Sequence, residues 1–169
     1  MYFVIVCAQG KVDLIPPLFP IPSDFELLHL CFETPHENEL IWLLEHPPIY
    51  TAGSSAKKEE LLIESEIPVY QTPRGGKFTY HGPGQRIIYV MLDLRRFNKD
   101  IRLFIETLED ILINTMDAFD IEVYPKRERI GLWTKKNKEE EKIGAIGLKV
   151  KKWISLHGIA ININPVSYT

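Results

Sequence analysis

Apolar positions in this chain follow two rhythms, and their changes mark out the elements. Phe3 to Ala8 is an apolar run of strand length, and Glu39 to Glu45 (ELIWLLE) is another, stopped by His46-Pro47-Pro48. Between them, Asp13 to Ser23 holds Pro16, Pro17, Pro20 and Pro22, which exclude helix or central strand and predict an extended connector. A polar run from Ser54 to Glu60 separates the second strand from a third at Ile67 to Tyr70. After Asn98 to Asp100 the period changes. Ile101, Phe104, Ile105, Leu108, Ile111, Leu112 and Met116 recur every three or four residues, which predicts a helix capped by Asp100 and running to about Phe119. Beyond it, Ile121 to Tyr124, Ile130 to Thr134, Lys142 to Val150 and Trp153 to Asn164 read as strands joined by short turns. The expectation is an α/β (α+β) domain, a mixed sheet with one or two packed helices and no internal repeat.

Composition narrows the class. At 169 residues with 45% hydrophobic and 25% charged positions, the chain suits one globular domain rather than a disordered segment. No apolar run approaches the eighteen or more residues of a membrane helix, and Tyr2 to Ala8 has no basic residue before it, so neither a span nor a secretory signal is expected. Cys7 and Cys31 are too few for a disulfide framework and lack metal-ligand spacing. A cytoplasmic protein without a metal, and not bound to a membrane, is the expectation.

Charge is unevenly spread. The net of -3 argues against a generally basic nucleic-acid binder, so nucleic acid is not an expected partner. Yet Lys126 to Lys152 carries ten cations and four glutamates. This stretch is either a solvated hairpin or a docking face for an acidic partner.

Candidate chemistry concentrates in Pro73 to Gln85 (PRGGKFTYHGPGQ), with four glycines, two prolines, an arginine and a histidine. Such a loop can wrap a ligand with its own amides, or serve as a turn between strands. It lacks the Gly-Lys-Ser/Thr ending of a phosphate loop and the dinucleotide spacing. His81 and His157 each precede a glycine and are open to structural or catalytic roles. If Lys142 to Val150 is a regular strand, Lys142 begins the face that carries Ile146, Leu148 and Val150. Desolvation there lowers an amine's pKa and suits it to proton transfer, whereas a head reaching water makes it an ordinary strand-mouth lysine.

Taken together, these residues resemble the lipoyl(octanoyl) transferases, the octanoyltransferase family of protein lipoylation. The matching stretches are Leu43 to Thr51, Arg74-Gly75-Gly76 with Thr79 to Gln85, Gly131-Leu132-Trp133, Lys142 to Gly147, and Leu156-His157-Gly158 with Asn162-Ile163-Asn164. The resemblance implies a biotin/lipoyl protein ligase-like single domain. It also implies octanoyl transfer from octanoyl-acyl carrier protein to a lysine of lipoyl domains, in the 2-oxoacid dehydrogenase complexes and the glycine cleavage protein, with no cofactor and no ATP. In that family a cysteine holds the acyl group as a thioester. Lys142 corresponds to the catalytic lysine. Segments that line the acyl pocket correspond to Arg74, Gly75, Gly76, Lys77, Phe78, Thr79, Tyr80 and His81, to Ala145, Ile146 and Gly147, and to Gly158, Ile159 and Ala160.

The chain also departs from that pattern. Residues 1–34 form an atypical N-terminal segment, and 35–169 match the catalytic domain with its C-terminal part missing. The family's Pro-Cys-Gly motif after the Asn-x-Asn strand is absent, and no cysteine follows Cys31. Cys7, in an apolar run, and Cys31, without a basic neighbour, are poor substitutes. A truncated reading frame and little or no transfer by these 169 residues alone are expected. Two other readings remain: an ATP-dependent lipoate or biotin protein ligase, and a non-catalytic fragment that binds the acyl chain or a carrier domain.

Overall fold

The structure, a computed structural model, describes residues 3–7, 12–15, 39–61, 66–126, 128, 131–136 and 139–164, with the backbone alone described for 3–7, 12–15 and Lys136. The strands are β1 (Phe3–Cys7), β2 (Val12–Ile15), β3 (Leu40–Leu44), β4 (Ile49–Ala52), β5 (Val69–Gln71), β6 (Phe78–His81), β7 (Gln85–Met91), β8 (Tyr124–Pro125), β9 (Leu132–Lys136), β10 (Glu139–Lys151) and β11 (Ile154–Asn162). They form an eight-stranded sheet in the order β2-β1-β3-β7-β11-β10-β9-β8 and a three-stranded sheet in the order β5-β4-β6. Among the described residues there is one α-helix, α1 (Ile101–Asp117), which packs on the large sheet.

Alternation along the central strands creates two apolar faces. Leu40, Trp42 and Leu44 of β3 bury with Ile87, Tyr89 and Met91 of β7 and with Leu156 and Ala160 of β11. The opposite parity supplies Val90, Ile159 and Ile161, which pack on Phe104, Leu108, Leu112 and Met116 of α1. Each of those four helix side chains contributes about 2 kcal/mol by leaving water. The Asp100 side chain accepts hydrogen bonds from the amides of Arg102 (2.9 Å) and Leu103 (3.0 Å), which fixes where the helix starts.

Several sequence expectations change. The large sheet is antiparallel at every described pairing, and mixed character belongs to the small sheet, where β4 pairs with β5 in parallel and with β6 antiparallel. Gln85–Met91, a strand that the sequence reading did not assign, lies at the centre of the large sheet. Ile87 to Met91 is continuously apolar because both faces are covered, so it carries no period-two signal. Ile121 to Tyr124 is strand only from Tyr124, and Pro125 ends the pairing after two residues. Asp13 to Ile15 belongs to edge strand β2 rather than to the connector, and Pro16 to Ser23, Cys31, Pro35 and 165–169 lie outside the described residues. The basic run is offset across a hairpin: the β9–β10 register sets Glu139 opposite Lys136 and Glu140 opposite Lys135, and Lys126 pairs with Glu140.

Candidate functional site

Where the glycine-rich segment leaves β5, Arg74 binds its own protein. One guanidinium nitrogen donates to the Gly75 carbonyl (2.9 Å). The other faces the Thr51 carbonyl (2.9 Å), Thr51 Oγ1 (2.6 Å), the Lys77 carbonyl (3.0 Å) and Thr79 Oγ1 (3.0 Å). The side chain thus sutures the 74–79 loop to β4, with its charge dispersed among neutral oxygens. The Gly75 amide donates to the Leu148 carbonyl (3.3 Å), which docks the same loop on β10. Lys77 pairs with Glu60.

From Thr51 a line of hydrogen bonds crosses between the sheets. Thr51 Oγ1 lies 3.1 Å from His81 Nε2, and His81 Nδ1 lies 2.6 Å from Gln85 Oε1. An amide oxygen only accepts, so His81 carries its proton on Nδ1 and accepts from the Thr51 hydroxyl at Nε2. That requires a neutral imidazole. Burial, opposed by the Gln85 bond and helped by nearby Arg74, lowers the His81 pKa to about 4. Burial, with His81 adding to it, lowers His46 to about 3. His46 Nε2 meets the Tyr89 hydroxyl at 3.2 Å, and burial pushes that phenol upward. Two buried histidines and a buried tyrosine therefore present an uncharged polar lining at neutral pH.

Lys142 stands where β10 is irregular. Its partner on β9 is Trp133, and the register shifts between Lys142 and Gly144, so the period-two argument does not run unbroken from Lys142 to Ile146. Its ammonium lies 5.9 Å from the centroid of the Trp133 ring, which Lys126 also approaches at 5.5 Å. Partial burial lowers the amine's pKa, although more than a third of the residue is exposed. Gly131 makes the space. Its φ is +131°, and a Cβ there would lie 2.4 Å from Lys142 Cε and 2.4 Å from the Gly144 carbonyl oxygen.

These parts border one cavity of about 700 Å³. It brings together Lys142, Arg74, Gly75, Gly76, Lys77, Phe78, Thr79 and His81, and with them Ala145, Ile146, Gly147, Gly158, Ile159 and Ala160. Tyr80 falls outside the lining; strand alternation turns it toward Tyr50, whose ring centroid is 5.5 Å away. The sequence reading missed His46, Thr51, Tyr89 and, from the first turns of α1, Ile101 and Ile105. His46 and Thr51 both lie in the matching stretch Leu43 to Thr51, which was their signal. His157, which lines the cavity, has φ +64° and is buried. Among the described residues there is no group of three His, Cys, Asp or Glu that could hold a metal, and no helix long and apolar enough to cross a membrane.

Residues 24–167 match the family model described as the lipoyl protein ligase A/B catalytic domain. An octanoyltransferase of Bartonella quintana is 52% identical over 136 residues, covering 75% of this chain and 56% of its own. One from Maricaulis maris is 53% identical over 152 residues, covering 89% and 67%. The chain thus spans between about half and two thirds of the length of these relatives. Among solved structures, Plasmodium falciparum LipL1 in complex with lipoate superposes with a TM-score of 0.60 at 19% identity, over 83% of this chain and 41% of that one. A bipartite lipoate protein ligase from Thermoplasma acidophilum gives 0.55 at 15%, over 73% and 48%. The fold is that of the biotin/lipoyl protein ligases, and by the match of its sequence the chain belongs to the lipoyl protein ligase A/B catalytic domain family, on its octanoyltransferase branch.

Proposed function

We propose that the protein moves an octanoyl group from octanoyl-acyl carrier protein to a lysine of a lipoyl domain, with Lys142 as the proton-handling amine. The observation that carries this reading is a cavity whose polar groups are neutral or already bonded within the protein, opening beside a partly desolvated amine. Such a cavity suits an uncharged acyl chain. Eight carbons at about 0.8 kcal/mol per methylene contribute roughly 5 kcal/mol, and two carbons more or fewer change discrimination about tenfold. A phosphate would need free cationic donors, and those of Arg74 are bonded to Thr51, Gly75, Lys77 and Thr79.

The transfer has two steps. A thiolate attacks the carrier thioester, the carrier sulfur leaves, and Lys142 returns its proton to that sulfur. The target amine then attacks the enzyme thioester, a C–N bond forms, the C–S bond breaks, and Lys142 accepts the proton that the amine gives up. Cys7 does not supply the thiol: β1 lies four strands from β10 in the large sheet, roughly 19 Å at sheet spacing.

The test has two arms. Octanoyl-pantetheine should bind the 169-residue chain without being consumed, and measurable octanoylation of a lipoyl domain by this chain alone would overturn the thiol requirement. Joined at Asn164 to the remaining segment of the Maricaulis maris relative, the chain should octanoylate a lipoyl domain from octanoyl-acyl carrier protein without nucleotide and stop when Lys142 becomes Ala. A strict need for ATP would identify a ligase instead.

A further inference from the structure

The hydrogen-bond line that starts at Arg74 does not end at His81. Gln85 uses its oxygen to accept from His81 and its nitrogen to donate to Asn162 Oδ1 (2.8 Å). Asn162 in turn donates from Nδ2 to the backbone carbonyl of Lys142 (3.2 Å). Every donor points the same way, from the guanidinium through the Thr51 hydroxyl, the imidazole and two amides to the strand that carries the amine. Reversing one amide would set oxygen against oxygen or N–H against N–H, so each group fixes the orientation of the next.

The place where this line ends matters. The β10–β11 register runs from Lys151↔Ile154 to Gly144↔Ile161, and the β9–β10 register shifts just beyond, between Lys142 and Gly144. Lys142 is therefore the last residue of the regular Glu139–Lys142 pairing with β9, at the edge of the register shift and beyond the end of the β11 ladder. Gln85 and Asn162 face each other as partners in the β7–β11 register, but a cross-strand pair needs no third and fourth member. Here each end is extended, to the cavity histidine on one side and to the Lys142 carbonyl on the other.

We infer that Gln85 and Asn162 are positioning residues for Lys142, tying the irregular stretch of β10 to the cavity wall built by Thr51 and His81. The inference rests on Lys142 being the working amine, but its test needs no acyl transfer, so either reading can fail without the other. Neither amide touches the ammonium. They act by holding its strand where Gly131 leaves room and Trp133 covers the nitrogen. The charged and titratable groups on the elements beside it include, among the described residues, Lys126 over the same ring with its partner Glu140, neighbouring Glu141 on β10, and Arg74, Lys77, His46, His81, Tyr89 and His157 in the cavity lining. Gln85→Met and Asn162→Ala leave all of them in place and add no charge.

The experiment is a ¹³C NMR titration of lysine Cε in the 169-residue chain, with a lysine model peptide as the reference. In the wild type, Lys142 should titrate below that peptide. In Gln85→Met and in Asn162→Ala its midpoint should rise measurably toward the peptide's, as the amine regains water. The double variant should rise no further than the larger single one, because the links act in series. A purely structural role would lower thermal stability and leave the midpoint unmoved, which overturns the inference. So does a shift in Asn162→Ala with none in Gln85→Met. If Asn162→Ala does not fold, Gln85→Met alone decides the matter.

Discussion

Thr51→Val is the sharpest test of the cavity wall. Thr51 is 4% exposed on β4, and valine keeps its shape and strand preference while removing only the hydroxyl. That hydroxyl accepts from Arg74 at 2.6 Å and gives its proton to His81 at 3.1 Å. Without it, Arg74 keeps three oxygens besides Gly75, but His81 Nε2 becomes a buried acceptor with no donor. An orphaned buried acceptor costs about 1–3 kcal/mol, and with the lost charged bond we expect about 2 kcal/mol. For a domain of this size that is roughly 6 °C in Tm. Thr51→Ser keeps the hydroxyl and should lose about half as much, for its methyl group. Thermal unfolding followed by circular dichroism measures both, and a ¹⁵N imidazole spectrum of the wild type should place the His81 proton on Nδ1. A valine variant as stable as the wild type, or a proton on Nε2, would refute the donor direction on which the line of bonds depends.

The remaining expectations concern pH, sheet spacing and the amine's surroundings. His46 and His81 have folded pKa values of about 3 and 4 against 6.5 when unfolded, so the unfolded chain takes up protons first as pH falls. Their contribution to stability is complete above pH 6.5 and is lost on acidification at up to about 2.7 kcal/mol per pH unit; a Tm that stays flat between pH 6.5 and 5 would contradict this. A Cβ on Gly158 would lie 2.0 Å from the Ile88 carbonyl oxygen, so Gly158→Ala should force β7 and β11 apart and cost about 4 kcal/mol or more by denaturant unfolding. Gly147→Ala meets Arg74 Cδ at 3.5 Å and the Gly75 carbonyl oxygen at 3.8 Å, both ordinary contacts, and should stay within about 1 kcal/mol of the wild type by the same measurement. Gly131→Ala should cost about 2 kcal/mol from its positive φ and, in the Lys142 titration, displace the amine from its covered position and raise its midpoint.

How much of this was legible depends on what each element exposes. Helix α1 could be read almost to the residue because one stripe is buried and Asp100 marks its start. β7 could not, because covering both faces of Gln85–Met91 removes the alternation that identifies a strand. Ile121 to Tyr124 shows the converse error: its apolar residues suggested a strand, yet Val123 is buried without belonging to one. The division into two sheets was also hidden. Parallel pairing of β4 with β5 is a long-range choice that no local window records.

At the site, spacing and resemblance named members but not their duties. The ribbon from Arg74 to His81 meets the β10 and β11 segments around one cavity, as its glycine content alone could not require. Arg74, which a sequence reader assigns to substrate, spends its donors on Thr51, Gly75, Lys77 and Thr79; that follows from two hydroxyls and three carbonyls converging from β4, β6 and the loop, and no motif encodes such convergence. The same assembly explains why His81 stays neutral: a guanidinium beside it and burial around it both penalise a second positive charge. Neutrality then sets the direction of every bond onward to Lys142. The uncharged lining of the cavity and the placement of Lys142 beside it thus follow from one arrangement of hydrogen-bond donors rather than from two independent features.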